Sequence, residues 1–495
     1  MEDEEHTMMT TIKTFGVHLL RLMMALMILA SGAGLALLFG ERESRALDQV
    51  ASPQAMTLPA AQVQRLTASS SSGQMMAAAV ASSGASSELF FTRDGGHTWL
   101  SMGSLPAAQI SALALAPDGN SALAAAGNRL FRADFAAQTW RELPLAWADV
   151  QASQAQITSL AVDRLAMARA SDQARDLAVF IGSTEGLFYW QGDALTGPGR
   201  GLPAGTAVAQ VHVTNANEAL IFAGASRGLF VLDRELADPT GDQGDRWLRI
   251  SSVSAPVHAV VETDGVLLAA TGSNGLYRSL DRGRSWQNLS GALGLQPGVI
   301  LDVTALAADP AEPGVVYAAT GFWVGSSQMH FAPGRVFISM DSGSRWQPMP
   351  GPNGQPLQLT ARVTALIPAV DTPLSVRAVT DQGMLSLTLD DAEALLSQLA
   401  DGDPAAQAWA ALGLGILGDP RATEPLLTHL AGDNAQVGFA AARALGRLGD
   451  AAALPSLLAF QVSADGMVRV RATLALDLLH ARAVAPTLTQ VAAVN

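Results

Sequence analysis

The sequence predicts an all-β seven-bladed propeller followed by an all-α solenoid of helical repeats, with one transmembrane helix ahead of both. Three observations carry this expectation. An uncharged apolar run lies near the N-terminus, a three-strand pattern recurs seven times, and the C-terminal hundred or so residues turn to alanine and leucine at helical spacing.

The chain has 495 residues, 49% of them apolar and 15% charged, enough apolar material for more than one core. Its net charge of −14 repels phosphate backbones and argues against nucleic acid as a partner. Lys13 is the only lysine, so no phosphate loop of the glycine–lysine type exists. The absence of cysteine excludes disulfides, thiolate metal sites and a cysteine nucleophile.

Residues 1–14 form a polar N-terminal tail, and 15–40 read as a transmembrane signal-anchor. From Leu22 to Phe39 no residue is charged, and Arg21 can snorkel to the interface. The run continues through Leu35–Phe39 beyond Ala30-Ser31-Gly32, a weak cleavage candidate, which favours an uncleaved anchor over a cleaved signal peptide. A short tail before one span and a large body after it suggests a single-pass protein of a bacterial cytoplasmic membrane with the large domain extracytoplasmic. Residues 41–59 read as a linker.

Residues 60–389 carry the sevenfold pattern. Its first strand reads Gln62–Ala68, Ile110–Ala116, Ile157–Val162, Val208–Val213, Val257–Glu262, Val303–Ala308 and Val363–Ile367. Each copy continues with a small-residue strand, a glycine and a third strand bearing an aromatic or other large apolar residue. A ring is the expected arrangement, because closure shields the sheet edges. The seventh copy stops after its third strand, so residues near Met56–Leu58 are expected to supply a fourth strand and latch the ring.

Several third strands end in one signature. It reads Thr92-Arg-Asp94-Gly-Gly96-His-Thr98-Trp99, Ser279-Leu-Asp281-Arg-Gly283-Arg-Ser285-Trp286 and Ser339-Met-Asp341-Ser-Gly343-Ser-Arg345-Trp346. A displaced copy holds Asp242, Gly244 and Trp247. The Asp carboxylate suits turn amides, the Gly a positive φ, and the Trp the start of a fourth strand. This signature resembles the Asp-box, or BNR repeat, of the sialidase-like propellers. The resemblance implies a turn clamp at each aspartate, with no metal or acid–base role.

Residues 390–495 hold a second repeat. Ala411-Leu-Gly-Leu-Gly-Ile-Leu-Gly418-Asp419 is echoed by Ala444-Leu-Gly-Arg-Leu-Gly449-Asp450. This resembles the HEAT-like repeats of phycobiliprotein lyases and bacterial scaffold proteins. The family's Val-Arg pair is met by Val468-Arg469 and missed by Val437-Gly438.

No catalytic constellation stands out. A sialidase needs an arginine cluster and a nucleophilic tyrosine. Tyr189, Tyr277 and Tyr317 instead fall at packing positions within strands. The eight histidines show no metal-ligand spacing. No catalytic, cofactor-binding or metal-ligating residue is therefore assigned. The one positive signal for binding is an insertion, Gly321 to Gly334, between the second and third strands of the sixth copy. Its Trp323 and Phe331 are candidate contacts for a protein partner of unknown identity, set against local packing over the blade. The expected function is a non-enzymatic, membrane-anchored scaffold for protein interaction or assembly. The alternative is a glycan-binding or sialidase-like glycosidase propeller.

Overall fold

The computed structural model describes residues 63–492, apart from segments 69–75, 82–86, 95–97, 106–108, 117–118, 151, 153, 164–176, 193, 198–200, 215–219, 234–245, 294–298, 326–327, 352–356, 370–371 and 381. The expected anchor, the linker and the Met56–Leu58 latch lie outside the described residues. Among the described residues no helix is long and apolar enough to cross a membrane.

Seven antiparallel sheets follow one another along the chain. The first holds β1 (Val63–Ala68), β2 (Met76–Ala81), β3 (Ser87–Thr92) and β4 (Leu100–Leu105), and the second β5 (Ala112–Leu115), β6 (Ser121–Ala126), β7 (Arg129–Asp134) and β8 (Thr139–Leu143). The third holds β9 (Ile157–Val162), β10 (Ala178–Ser183), β11 (Gly186–Gln191) and β12 (Ala194–Thr196), and the fourth β13 (Val208–Val213), β14 (Leu220–Ala225), β15 (Gly228–Asp233) and β16 (Trp247–Ile250). The fifth holds β17 (Val257–Thr263), β18 (Val266–Thr271), β19 (Leu276–Ser279) and β20 (Gln287–Asn288), and the sixth β21 (Ile300–Ala308), β22 (Val316–Val324), β23 (His330–Ser339) and β24 (Gln347–Pro348). The seventh has three strands among the described residues, β25 (Val363–Pro368), β26 (Ser375–Thr380) and β27 (Gly383–Thr388).

The inner strands β1, β5, β9, β13, β17, β21 and β25 lie beside one another in that order, and β25 lies beside β1, so the ring is closed. Each sheet is a blade of a seven-bladed propeller. Six inner strands shift register near their start, at Gln64, Thr158, Ala209, His258, Thr304 and Thr364. A bulge there increases the local twist and re-aims the residue at the rim of the ring.

Because each blade is an up-and-down meander, first-to-second and third-to-fourth connections share one face of the ring. Second-to-third connections lie on the opposite face. The aspartate turns therefore occupy the first face. The insertion after Gly321 occupies the second. It is no loose loop: β22 and β23 run on as a hairpin, with Trp323 opposite Phe331 and Val324 opposite His330.

The helical array comprises α1 (Ala392–Asp401), α2 (Pro404–Leu417), α3 (Thr423–Ala431), α4 (Ala435–Leu448), α5 (Leu454–Phe460) and α6 (Gly466–Ala492). Its capping residues recur every 31 positions. Asp403, Asn434 and Asp465 accept the first free amides of α2, α4 and α6, and Gly418 and Gly449 end α2 and α4 in the left-handed conformation. Gly415 of α2 is needed for stacking, since a Cβ there would lie 2.5 Å from the Ala444 Cα. The buried arginine of the array is Arg471, whose Nη1 donates to Leu430 O at 2.9 Å and Gly432 O at 2.8 Å. Arg469, the family-pattern residue, is exposed and bonds to Ser463 O and Ala464 O. The helix phase explains the difference, because Val468, Arg471, Ala472 and Ala475 form the inward stripe.

The array and the ring share one core. Met340, Met349, Leu374 and Leu387 from blades six and seven join Leu395, Leu399, Leu414 and Leu445 from the helices. Arg345 Nη1 donates to Ala405 O at 2.9 Å, and Arg447 donates to Pro313 O and lies 3.9 Å from Glu312. All the ring groups in these polar contacts lie on the aspartate-turn side of blade six. The helices thus pack against that side, opposite the hairpin.

Candidate functional site

The aspartate turns are the first group of expected residues. Asp281 Oδ1 accepts from Ser285 N at 2.8 Å and Ser279 Oγ at 2.9 Å, and its Oδ2 accepts from Ser285 Oγ at 2.6 Å. These hydrogen bonds hold its carboxyl at about 2, below the usual carboxylate range. Asp341 repeats the pattern, accepting from Arg345 N at 2.8 Å and Ser339 Oγ at 2.9 Å. Asp94 accepts from Thr98 N at 2.9 Å. Each carboxylate is occupied within its own turn, as a clamp requires. Gly96, Asp242 and Gly244 lie outside the described residues.

The glycines and tryptophans of these turns join neighbouring blades. Gly283 and Gly343 have φ of 83° and 80°, and a Cβ on them would come within 2.8 Å of Phe222 and 2.6 Å of Leu268 in the preceding blades. Trp286 and Trp247 meet Phe222 and Phe180 edge-on at 6.3 Å and 6.5 Å. Trp346 packs with Leu268. Trp99 packs with Ile367 and Val379 of blade seven, across the closure of the ring. These residues build the ring.

The second group stands on the hairpin face. Trp323 and Phe331 cross edge-on at 5.5 Å, and both are half-buried. Gly321 makes this possible, since a Cβ there would lie 2.1 Å from the Phe331 ring. The structure adds three residues that the sequence reading did not single out. Asp302, on β21, is 1% exposed at its side chain. Its Oδ2 accepts from Trp323 Nε1 at 3.1 Å and from Arg362 Nη2 at 3.3 Å. Its Oδ1 accepts no hydrogen bond and faces His258 Nε2 at 3.5 Å. The Arg362 guanidinium lies over the Phe331 ring, 4.7 Å from its centroid.

These contacts form a closed circuit of carboxylate, indole, ring and guanidinium. A buried carboxylate needs such partners, because leaving it unpaired in a low-dielectric interior costs several kcal/mol (~3–5). The exposed side of the cluster is different in character. His258 and Arg362 keep 35% and 38% of their side chains exposed, and Met329 and Ile300 stand exposed nearby on the hairpin and its neighbour strand. The arrangement offers a guanidinium, an imidazole and aromatic faces to solvent above a buried carboxyl group.

Asp302, His258 and Arg362 come from three inner-strand starts, 44 and 60 positions apart in the chain (258, 302, 362). No local spacing joins them. The packing of neighbouring inner strands does. The only sequence hint was an aspartate among the apolar residues of a first strand, Ile300-Leu-Asp302-Val303.

The HEAT repeats family matches residues 392–492. No curated protein matches the chain. Among solved structures, YCF48 bound to D1 peptide is similar at 14% identity and a TM-score of 0.44, covering 69% of this chain and 97% of that one. The xyloglucanase of Xanthomonas campestris is similar at 16% identity and a TM-score of 0.44, covering 68% of this chain. This chain spans about half, 53%, of that enzyme.

Proposed function

We propose that this protein is a membrane-anchored scaffold for protein interaction or assembly, and that its contact surface is the hairpin side of blades five to seven. One observation carries the reading. Trp323, Phe331 and Arg362 are part-exposed residues of the types that dominate interface energetics, and a buried carboxylate holds them in one geometry. Anchors fixed before binding lose little conformational freedom on association. The helical array supports the same reading, since it covers the other side of blade six and adds a repeat surface without chemistry of its own.

The anchor belongs to the proposal. The apolar stretch from residue 15 to 40 would hold the scaffold at a bacterial cytoplasmic membrane, with the ring and helices outside the cytoplasm. Asp-box identity fits the role of the aspartate turns as clamps, which leaves them no part in binding.

The test is affinity purification from native membranes with Phe331→Ala and Arg362→Ala variants. Partner recovery should fall at least roughly tenfold for either, as removal of an anchor costs about 2 kcal/mol or more. Undiminished recovery would overturn the proposed surface. Binding of the wild type to a glycan array, lost in the same variants, would replace it with the lectin reading.

A further inference from the structure

The helical array presents a second surface, independent of the ring. In α2 and α4, the face that receives the following helix carries glycine. A Cβ on Gly415 would lie 2.5 Å from Ala444, one on Gly438 would lie 2.5 Å from the Arg471 guanidinium, and one on Gly446 would lie 2.5 Å from the Leu478 Cβ. Thirty-one positions on from Gly438 and Gly446, the same face of α6 carries Arg469 and Asp477, both exposed. Around them stand exposed apolar side chains. Met467 and Val470 are 44% and 53% exposed on α6, and Leu458 and Val462 are 56% and 84% exposed on and after α5. Leu427, one repeat before Leu458, is buried at 4%. Among the described residues, the side of α6 turned away from α4 therefore combines apolar surface with one charge of each sign.

The placing of those charges is what selects a partner. Thr473 is exposed and lies four residues from Arg469 and four from Asp477. Residues 466, 469, 470, 473 and 477 form one stripe of the helix. Two such helices packed antiparallel about a two-fold axis at Thr473 set each Arg469 against Asp477 of the partner subunit. Val470 and Met467 then flank the axis, and the small threonine lets the helices approach. A parallel pairing in register would set like charge against like. The face is self-complementary in the way an isologous contact requires.

We infer that the chain forms a homodimer through α6, antiparallel about Thr473, with reciprocal Arg469–Asp477 pairs, Val470 and Met467 flanking the axis, and the Leu458 and Val462 side chains at its apolar periphery. The contact lies apart from the hairpin surface of the ring, so two copies would present two ring surfaces.

The test uses the full-length chain in mild detergent. The protein has no cysteine, so Thr473→Cys introduces a single thiol. Mild oxidation should convert this variant to a disulfide-linked dimer, because residues at a two-fold axis fall within disulfide reach. Ser397→Cys, exposed on α1, should remain monomeric. In the Thr473→Cys background, Arg469→Asp or Asp477→Arg alone should slow cross-linking roughly tenfold, as attraction becomes repulsion at both symmetric sites. The double exchange should restore it. Equal cross-linking at positions 473 and 397, none at 473, or failure of the double exchange to recover the rate overturns the dimer.

Discussion

At the scale of single residues, the same side chain does opposite things in different surroundings. Asp281 sits in a turn full of donors and is held at about 2. Asp309, between β21 and β22, is buried, and burial raises its carboxyl to about 6 although Ala311 N and Glu312 N both donate to it. Burial likewise pushes the Tyr317 hydroxyl up, and that hydroxyl has no hydrogen-bond partner. The two aspartates have opposite linkage. Asp281 contributes stability that is present above about pH 4 and lost as pH falls toward 2. Asp309 binds its proton more tightly when folded, so its contribution is present below about pH 4 and lost as pH rises through 6. Asp309→Asn keeps the acceptor and removes the charge. It should stabilise the protein at pH 8 by about 2 kcal/mol and have little effect at pH 4, judged by thermal melts at both values. A gain that is the same at both pH values would refute this account.

At the scale of elements, close approach governs what each helix and turn can be. The glycines of α2 and α4 are there because the next helix occupies the space of a side chain. Gly415→Val should destabilise the array by about 2 kcal/mol or more, since its branches would meet the Ala444 backbone and not a movable side chain. Hydrogen exchange along α2 and α4 would read the effect. Protection equal to wild type would mean that the helices can separate at little cost. The turn tryptophans obey the same logic between blades. Trp346 is a turn residue in sequence and a wedge against blade five in space.

At the scale of the whole molecule, ring and helices are joined by one apolar core and do not merely adjoin. Leu395 on α1 and Leu374 at the edge of β26 belong to it, and the Arg345 and Arg447 bonds cross the same junction. The two parts should therefore unfold together. Leu395→Ala should cost about 2–5 kcal/mol and reduce hydrogen-exchange protection in β25–β27 as well as in α1. Two separate calorimetric transitions, with only the helical one moved by the substitution, would contradict a shared core.

Much of this architecture was legible in the chain because repetition is a local signal. Strand alternation, the Asp-x-Gly spacing and the Ala-Leu-Gly echoes each recur within short windows, and each has one economical physical reading. The candidate site was legible only in part. Trp323 and Phe331 showed as aromatics in an insertion, but the insertion is a strand hairpin, because Gly321 allows Phe331 to lie across it. Arg469 matched a family pattern, yet Arg471 is the buried arginine, since helix phase and the space over Gly438 decide which side chain turns inward. By itself, the sequence determined the number of blades and the helical repeat. Only the tertiary structure decided that His258, Asp302 and Arg362 meet beneath Trp323, and that the helices cover the opposite side of blade six. Those groups are brought together by the packing of the neighbouring inner strands β17, β21 and β25, which sets side by side residues that lie 44 and 60 positions apart in the chain.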